Sequence, residues 1–386
     1  MPAERLLFVV NAHEYTASHR LPLLAGASAL GYHVEAVAPA CSPAQERLEA
    51  AGYKVHEIGL SRRGVRVWEE VAAIRSLTRL YRRLQPALVH HATIKPVLYG
   101  SLAARWAHVP AVVNAVTGLG YVYSGSGWRP RLLRKAVNPL YRFALRHPNM
   151  RVIFQNRDDW QALSDIGAIR DDVAVLIPGS GVDTAHFMPA PEPTETPMVV
   201  FVGRMIWDKG VREFVEAAKV VQARGIEARF VMVGGLDPGN PAAIPEPTLR
   251  QWVQDGTVEW WGEQSDMLAV YHAASLVVLP SYYREGLPKV LLEAAACGRP
   301  VVTTDAPGCR DAVIHGQTGF LVPVRDSVAL AERMQKLVED PALRAAMGRA
   351  GRIRAEKEFS TERVVAETLS VYEQLLNTAN TSSPRG

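Results

Sequence analysis

Short apolar runs recur along this chain, and each is followed by a polar turn and a stretch with helical spacing. The first half contains runs at residues 6–10, 34–38, 88–90, 111–116 and 152–155. The second half contains runs at residues 199–202, 230–233, 276–279 and 301–304. Stretches that are mostly apolar, with single polar residues such as Glu35 and Asn114 in some of them, are typical of parallel strands that are buried on both faces. Their alternation with helices predicts an α/β fold built from doubly wound parallel sheets.

A proline-rich stretch at residues 189–197 divides the 386 residues into two halves, each the size of an ordinary domain. We predict one domain over residues 1–190 and another over residues 191–360. The segment 361–386 is predicted to form an amphipathic helix over residues 362–376 and a polar tail. No apolar run approaches the roughly 18 residues of a membrane-spanning helix, and no cleavable signal precedes the first strand, so we expect a cytoplasmic protein. Three scattered cysteines predict neither a disulfide framework nor a zinc site.

The net charge of +4 hides an asymmetry between the halves. Residues 1–190 carry 22 Lys and Arg against 14 Asp and Glu, whereas residues 191–386 carry 21 against 25. Residues 71–157 contain 14 basic side chains and no acidic one. A field of one sign over one domain favours an anionic surface or ligand. We expect this partner to be the anionic inner leaflet of a membrane, and no nucleic acid.

The stretch 280–293 carries the most informative chemistry. It follows the apolar run 276–279 and reads Pro-Ser-Tyr-Tyr-Arg-Glu-Gly-Leu-Pro-Lys-Val-Leu-Leu-Glu. This pattern predicts a loop and then a helix over residues 287–297, with Pro288 in the first turn. The unpaired N–H groups at such a helix start attract an anion such as a diphosphate. Glu285 and Glu293 lie within about 12 Å along the helix axis, so they can bind hydroxyl groups at the two ends of a nucleotide sugar.

A second loop supplies cations at an equivalent position. Residues 198–203, 211–225 and 228–234 are predicted as strand, helix and strand, and Arg204 and Lys209 lie in the loop after the first strand. Open α/β sheets bind their ligands at the carboxyl ends of strands. An arginine fork and a mobile lysine can therefore stabilise a departing nucleoside diphosphate. Because no Asp-x-Asp triplet occurs in the chain, we expect no metal clamp and no cofactor.

Several further candidates rest on position alone. Gly234 and Trp261 follow predicted strands and can wall a base pocket. The backbone at Thr117 and Gly118 follows the strand 111–116, where we expect an acceptor site. Two more acceptor candidates are His19, close after the first strand, and Lys95, at a helix start. Packing, helix capping or an ordinary surface position is the alternative for each of these residues.

Two predicted helices of the first half, residues 71–84 and 130–147, are basic and amphipathic. In the second of them, Arg131, Arg134 and Lys135 lie beside or opposite an apolar stripe. A helix of this kind can rest on anionic lipid. The alternative is a core helix with a solvated basic face.

These motifs resemble those of retaining glycosyltransferases of the GT-B family 4. The resemblance is carried by Glu285 and Glu293 at the E-x7-E spacing, by residues 203–204 and 208–210, and by the segment 307–323. A narrower resemblance, to bacterial enzymes that extend undecaprenyl-diphosphate-linked saccharides, is carried by residues 18–22, 93–100 and 117–123. It implies two Rossmann-like domains facing across a cleft, with a last helix that crosses back to the first domain. The implied donor site consists of Gly203, Arg204, Lys209, Gly234, Trp261, Glu285, Gly286, Leu287, Pro288 and Glu293.

The resemblance implies an enzyme that moves a sugar, such as N-acetylgalactosamine, from a UDP-sugar to a polyprenyl-diphosphate-linked saccharide. Glu285, Arg204 and Lys209 are then the catalytic residues, and the enzyme works without a metal on the cytoplasmic face of the inner membrane. The alternatives are a UDP-sugar-binding subunit without turnover and a transferase with a soluble or non-polyprenyl acceptor. An epimerase or a phosphorylase on the same fold is a further alternative. A Rossmann oxidoreductase is disfavoured, because no G-x-G-x-x-G follows a predicted strand.

Overall fold

The computed structural model describes residues 4–11, 20–39, 43–59, 67–120, 123, 128–193 and 195–382. The chain forms two compact units: unit 1 comprises Met1–Ser180 with Glu362–Gly386, and unit 2 comprises Gly181–Thr361. Val182 forms a parallel bridge with Ser360 and exchanges backbone hydrogen bonds with the residues on either side of it. The proline-rich stretch that suggests a boundary at residue 190 therefore lies inside unit 2.

Unit 1 is built on a seven-stranded, wholly parallel sheet with the order β3-β2-β1-β4-β5-β6-β7. Successive side chains of β1 enter different cores, Leu7 and Val9 on one face of the sheet and Leu6 and Phe8 on the other. The strands are β1 Arg5–Val9, β2 His33–Ala38, β3 Lys54–Glu57, β4 Leu88–Ala92, β5 Ala111–Val116, β6 Met150–Phe154 and β7 Ala174–Leu176.

Helices cover both faces of this sheet. They are α1 Leu21–Ala29, α2 Pro43–Ala50, α3 Val67–Leu84, α4 Ser101–Ala107, α5 Trp128–Ala144, α6 Arg157–Asp165 and the last helix, α14 Thr361–Ser382. Helices α3 to α6 pack on one face, together with a π-helical turn, Pro96–Gly100, that leads into α4. Helices α1, α2 and α14 pack on the other. The hydroxyl of Tyr372 in α14 lies 2.6 Å from Nδ1 of the buried His90 in β4, which fastens the last helix to unit 1.

Unit 2 contains a six-stranded parallel sheet with the order β10-β9-β8-β11-β12-β13. Its strands are β8 Met198–Val202, β9 Arg229–Val233, β10 Glu259–Trp260, β11 Leu276–Leu279, β12 Val301–Thr304 and β13 Gly319–Val322. Its helices are α7 Val211–Ala223, α8 Glu246–Gln254, α9 Met267–Ala273, α10 Lys289–Ala296, α11 Cys309–Ala312, α12 Ser327–Glu339 and α13 Pro341–Glu358. One continuous apolar core surrounds the sheet. The prediction of two Rossmann-like parallel-sheet domains is confirmed.

Among the described residues, three strands lie outside the predicted set: β3, β7 and β13. A strand is expected before Trp261 without fixed bounds, and β10 occupies that place. These four strands are the edges of their sheets. Strand β3 begins with Lys54 and ends with Glu57, so it lacks the apolar run of a central strand. Strands β7 and β13 are apolar but short, with three and four residues. Helix α10 also begins at Lys289, two residues later than predicted, because Pro288 has the extended backbone of an N-cap, with φ −65° and ψ 115°.

Candidate functional site

The strand order of unit 2 reverses between its two central strands. From β8 the chain moves outward to β9 and β10, and from β11 it moves to β12 and β13 on the other side. Ligands of open α/β sheets bind in the crevice at such a reversal, outside the carboxyl ends of the strands. Arg204 and Lys209 lie in the loop after β8, and Glu285 lies in the loop after β11. The fold thus brings the three predicted catalytic residues to the two loops that flank the reversal.

Lys209 and Glu285 form an ion pair, with 2.6 Å between Lys209 Nζ and Glu285 Oε1. Both side chains are largely buried, with exposed fractions of 15% and 13%. The hydroxyl of Ser281 donates a second hydrogen bond to the same carboxylate oxygen, at 3.0 Å. Ser281 is fully buried, so this hydrogen bond reaches the carboxylate from the interior of unit 2. Two donors on one oxygen give Glu285 a defined orientation.

The two loops are joined through one carbonyl group. The backbone oxygen of Asp208 accepts hydrogen bonds from the N–H groups of Tyr282 and Tyr283, at 3.0 and 3.1 Å. Gly210 has φ +78°, and a Cβ atom there would lie 2.1 Å from the carbonyl oxygen of Pro280. Only glycine permits both this backbone and this approach. The loop after β8 is therefore held tightly against the loop after β11.

Arg204 is less enclosed than Lys209. Its guanidinium contacts the carboxylate of Asp237 in the loop after β9, and 43% of the Arg204 side chain is exposed against 11% for Asp237. Asp237 also accepts a hydrogen bond from the side-chain amide of Asn240, at 3.0 Å. An exposed arginine in such a pair keeps donors that can turn towards a phosphate.

Glu293 lies in a different environment from Glu285. It projects from the middle of α10 and is buried, with 2.7 Å between its Oε2 and the hydroxyl of Tyr271 and 3.4 Å between its Oε1 and Lys289 Nζ. Burial raises the pKa of the Glu293 carboxyl, and the charge of Lys289 and the hydrogen bond from Tyr271 oppose that rise. The predicted E-x7-E pair thus consists of an ion-paired carboxylate in a loop and a buried carboxyl group on a helix.

The residues before α10 are packed against a neighbouring loop. Gly308 has φ +81°, and a Cβ atom there would lie 2.4 Å from the carbonyl oxygen of Gly286. The next residue, Cys309, is fully buried, and burial raises the pKa of its thiol to about 12, so it stays protonated. Gly286, Leu287 and Pro288 therefore follow one defined path towards the first turn of α10.

The predicted base-pocket residues also have structural partners. Gly234 has φ +145°, and a Cβ atom there would lie 1.9 Å from the carbonyl oxygen of Gly203. The indole N–H of Trp261 donates to Glu259 at 3.0 Å, and that of Trp260 donates to the carbonyl of Gly234 at 2.9 Å. These contacts bring the ends of β8, β9 and β10 together. A role in base binding stays a prediction.

Sequence reasoning missed Ser281, Asp208 and Asp237 as parts of this site. Ser281 was available as the first polar residue after a buried strand, within the stretch that contains Glu285. Asp208 acts through its backbone oxygen, which no side-chain pattern reveals. Asp237 meets Arg204 across 33 positions of sequence. Only the knowledge that β8 and β9 are neighbours in the sheet, with their loops side by side, could have identified Asp237.

In unit 1 the strand order reverses between β1 and β4. Thr93 follows β4 with the unusual φ of +75°, and its hydroxyl donates to the side chain of Asn11, which follows β1, at 2.8 Å. Lys95 is paired with Glu70 of α3 at 2.6 Å, and both side chains are largely buried. Thr117 and Gly118 follow β5, where Gly118 has φ +109°. His19 lies outside the described residues.

Helix α5 presents both charge and apolar area to solvent. Arg131 and Lys135 are exposed and Arg134 is half-buried. Trp128 and Leu132 on the same helix are 70% and 63% exposed. None of the helices in the described ranges combines the length and apolarity needed to cross a bilayer.

Unit 2 also contains a cavity of about 390 Å³ at the amino-terminal ends of its strands, opposite the loops described above. Ser275 and Pro300 line it, and these residues directly precede β11 and β12. Three arginines in its wall, Arg299, Arg344 and Arg352, donate to backbone carbonyls at the carboxyl ends of α9, α12 and α10. Capping of helix ends explains these side chains, and the cavity is separate from the predicted donor site.

Within the described part of the chain, no group of three His, Cys, Asp or Glu residues is placed to hold a metal ion. Arg204 and Lys209 are cationic side chains near the strand reversal.

Two family descriptions match the chain, one for each half. Residues 5–156 match the family described as glycosyl transferase 4-like. Residues 196–340 match the family described as glycosyl transferases group 1.

Individual relatives span most of the chain. It is 28% identical over 312 residues to the N,N'-diacetylbacillosaminyl-diphospho-undecaprenol alpha-1,3-N-acetylgalactosaminyltransferase of Campylobacter jejuni, covering 78% of this chain and 80% of that enzyme. It is 31% identical over 322 residues to an alpha-maltose-1-phosphate synthase of Mycolicibacterium smegmatis, covering 75% and 79%. Among solved structures, Anabaena HepE in complex with UDP and glucose superposes with a TM-score of 0.76 at 20% identity, covering 95% of this chain and 99% of HepE.

Proposed function

Because the chain belongs to the GT-B glycosyltransferases, we propose that it transfers a sugar from a UDP-sugar to an undecaprenyl-diphosphate-linked saccharide, with retention of configuration. The observation that carries the proposal is the Lys209–Glu285 ion pair at the strand reversal of unit 2. It combines a cation for a diphosphate with a carboxylate for sugar hydroxyls in one place. The UDP bound to HepE supports the choice of nucleotide. The name of the Campylobacter relative supports the lipid-linked acceptor and an N-acetylhexosamine donor.

In this proposal the leaving diphosphate is stabilised by positive groups that are in place before the reaction. Lys209 shares its ammonium group between Glu285 and a phosphate oxygen, and Arg204 turns from Asp237 to a second phosphate oxygen. The N–H groups at the start of α10 add a partial positive charge. Preorganised electrostatic stabilisation of a departing anion is usually the largest contribution to catalysis. We propose that these groups replace a metal ion.

The two carboxyl groups are proposed to hold the two ends of the donor. Glu285, oriented by Lys209 and Ser281, accepts hydrogen bonds from hydroxyl groups of the transferred sugar. Glu293, with only 8% of its side chain exposed, offers one edge of its carboxyl group to the ribose hydroxyls. The acceptor hydroxyl attacks from the face that the diphosphate leaves, so neither carboxylate forms a covalent bond to the sugar.

We assign the acceptor to unit 1, at the strand ends that carry Thr93, Thr117 and Gly118. The basic charge of this unit and the exposed Trp128 and Leu132 of α5 support a peripheral position on an anionic membrane. A lipid-linked acceptor is present only at such a surface. We therefore propose that the protein works on the cytoplasmic face of the inner membrane.

The test is a transfer assay with a panel of UDP-hexoses and UDP-N-acetylhexosamines, polyprenyl-diphosphate-linked sugars, detergent and EDTA. We expect one donor to be used in the presence of EDTA, with an α-linked product from an α-linked donor. Glu285→Gln is expected to lower kcat about 100-fold or more, whereas Glu246→Gln, an exposed carboxylate on α8, leaves it unchanged. A β-linked product, loss of activity with EDTA or an active Glu285→Gln variant would each contradict the proposed mechanism.

A soluble acceptor is the second candidate, favoured by the 31% identity to a maltose-1-phosphate synthase. The same assay includes sugar phosphates as acceptors. Faster transfer to these than to polyprenyl-linked sugars would establish the second candidate. Binding of a UDP-sugar with no transfer to either acceptor class would identify a binding subunit.

A further inference from the structure

Arg325 has a backbone conformation that arginine rarely adopts. It lies in the loop between β13 and α12 with φ +61°, in the left-handed region. Glycine occupies this region without strain, whereas a side chain with a Cβ atom is disfavoured there. Strained residues persist where surrounding contacts hold them, and they concentrate at functional sites. The reason for an arginine here must therefore be sought in what its side chain contacts.

The Arg325 side chain reaches across to the loop after β11. Its guanidinium carbon lies 4.4 Å from the centre of the Tyr282 ring, which is the geometry of a cation–π contact. It is also close to two carboxyl groups, Asp208 after β8 and Glu213 in the first turn of α7. Burial raises the pKa of both carboxyls, and the charge of Arg325 opposes that rise. The Arg325 side chain thus connects the loop after β13 with the loop after β11, and its charge acts on carboxyl groups after β8 and in α7.

The position of Tyr282 affects how the loop after β11 holds the Glu285 carboxylate. It lies three residues before Glu285 in a segment without regular secondary structure. The N–H groups of Tyr282 and Tyr283 share the carbonyl oxygen of Asp208, and the neighbouring Ser281 holds the Glu285 carboxylate at 3.0 Å. A Tyr282 ring that is free to rotate out would loosen both hydrogen bonds to Asp208. The Glu285 carboxylate would then lose its fixed position beside Lys209.

We propose that Arg325 is a positioning residue, which clamps Tyr282 and thereby holds Glu285 beside Lys209 for the donor sugar. The strained backbone at Arg325 is retained because glycine, which has no side chain, could not make the contact with the Tyr282 ring. This inference rests on the proposed function, since it assumes that Glu285 binds the donor.

The first test is Arg325→Gly, which relieves the backbone strain and removes the clamp together. We expect an unchanged or higher Tm, combined with a kcat about tenfold lower, because a misplaced catalytic group is costly even in an intact fold. Tyr282→Leu removes the other half of the contact and is expected to lower kcat to a similar extent. Because both variants remove one interaction, the double variant should lose about tenfold and not about a hundredfold.

The matched control is Arg333→Ala. Arg333 lies on α12 and makes a cation–π contact of 5.0 Å with Phe320, away from the Glu285 loop. Its kcat is expected to stay within about twofold of the wild type. A merely structural role for Arg325 predicts that kcat and Tm fall together in Arg325→Gly. The proposal would be overturned by a parallel fall of kcat and Tm in Arg325→Gly or by an unchanged kcat in that variant. Fully additive losses of kcat in the double variant would also overturn it.

Hydrogen exchange supplies a measurement that needs no substrate. The amides of Tyr282 and Tyr283 are expected to exchange about tenfold faster in Arg325→Gly than in the wild type, because their hydrogen bonds to Asp208 open more often. Unchanged exchange rates of these two amides would overturn the proposal that Arg325 clamps Tyr282, whichever sugar the enzyme transfers. Glu285→Gln, assayed alongside, separates the two ideas. If it retains full turnover, the proposed role of Glu285 fails, while the exchange rates still decide whether Arg325 holds the loop.

Discussion

At the scale of single residues, several charged groups that the sequence singles out are held in ion pairs. Lys209 pairs with Glu285 at 2.6 Å, and Lys95 pairs with Glu70 at the same distance. A partly buried charge that loses its partner is strongly destabilising, so each pair orients its members in the absence of a ligand. In the proposed function, a phosphate of the donor shares Lys209 with Glu285. The sequence predicts both side chains, and the structure shows that they form an ion pair.

Gly234 gives a stability prediction at this scale. Gly234→Ala is expected to lower the free energy of unfolding by about 3 kcal/mol or more, because the new Cβ atom would lie 1.9 Å from the backbone oxygen of Gly203. Gly225→Ala is the control, since Gly225 also has a positive φ, +74°, but no atom lies within 4 Å of its Cβ position. It should cost only about 1 kcal/mol of left-handed strain. Urea denaturation measures both, and equal losses would show that the close approach is unimportant.

At the scale of elements, burial on both faces decides what the sequence reveals. The central strands are covered by helices on each face and are predominantly apolar, whereas the edge strands β3 and β10 include charged residues. Helix ends are also set by local backbone chemistry that periodicity does not resolve, as the extended Pro288 before α10 illustrates. The predicted anion site at that helix start therefore shifts along the chain by a fraction of a turn.

Helix α14 provides a prediction about an element and its anchor. Tyr372→Phe removes the hydrogen bond to the buried His90 and is expected to lower the stability of unit 1 by about 1–2 kcal/mol, with UDP binding by unit 2 unchanged. Tyr53→Phe is the control, because the Tyr53 hydroxyl has no hydrogen-bond partner among the described residues. Urea denaturation and UDP titration give the two readouts. Loss of UDP binding in Tyr372→Phe would contradict an effect confined to unit 1.

Helix α5 tests the membrane assignment. We expect the protein to bind vesicles that contain anionic lipid at low salt, and Arg131→Ser with Lys135→Ser to weaken that binding about tenfold or more, since each basic residue contributes about 1 kcal/mol at such a surface. The matched charge control is Lys219→Ser on α7 of unit 2 combined with Arg224→Ser at the C-cap of that helix. Sedimentation with vesicles of neutral and anionic composition measures the effect. Equal vesicle binding by the two double variants would contradict the proposal that α5 contacts the membrane.

At the scale of the whole molecule, the two units have separate cores, and burial shifts the pKa of histidines in unit 1 and of carboxyl groups in unit 2. Unit 1 buries His90 and His91, and burial lowers the pKa of both, that of His91 to about 4. Unit 2 buries Glu293 and half-buries Asp208, and burial raises the pKa of these carboxyls. A histidine with a lowered pKa stabilises the fold above its unfolded pKa of about 6.5 and loses that contribution as the pH falls. A carboxyl group with a raised pKa acts in the opposite direction.

Acidification from pH 7.5 to 5.5 is therefore expected to destabilise unit 1 and not unit 2. Each histidine that stays neutral in the fold contributes a loss of up to about 1.4 kcal/mol per pH unit below pH 6.5. Hydrogen exchange, read separately for the two units and corrected for its intrinsic pH dependence, measures this difference. His91→Gln, which cannot titrate, should reduce the pH sensitivity of unit 1. A larger acid-induced loss in unit 2 would contradict the assigned burial.

The amino-acid sequence by itself determined the two parallel sheets, because central strands buried on both faces are predominantly apolar. It also determined the chemistry at the ends of β8 and β11, since the strand runs locate those loops and the loops contain Arg204, Lys209 and Glu285. The tertiary structure decided which of these groups meet. Lys209 and Glu285 are 76 positions apart, and Arg325 reaches Tyr282 from a third loop. Contacts between loops that are distant in sequence leave no periodic pattern in the chain, so they arise only when the sheet brings its strand ends together.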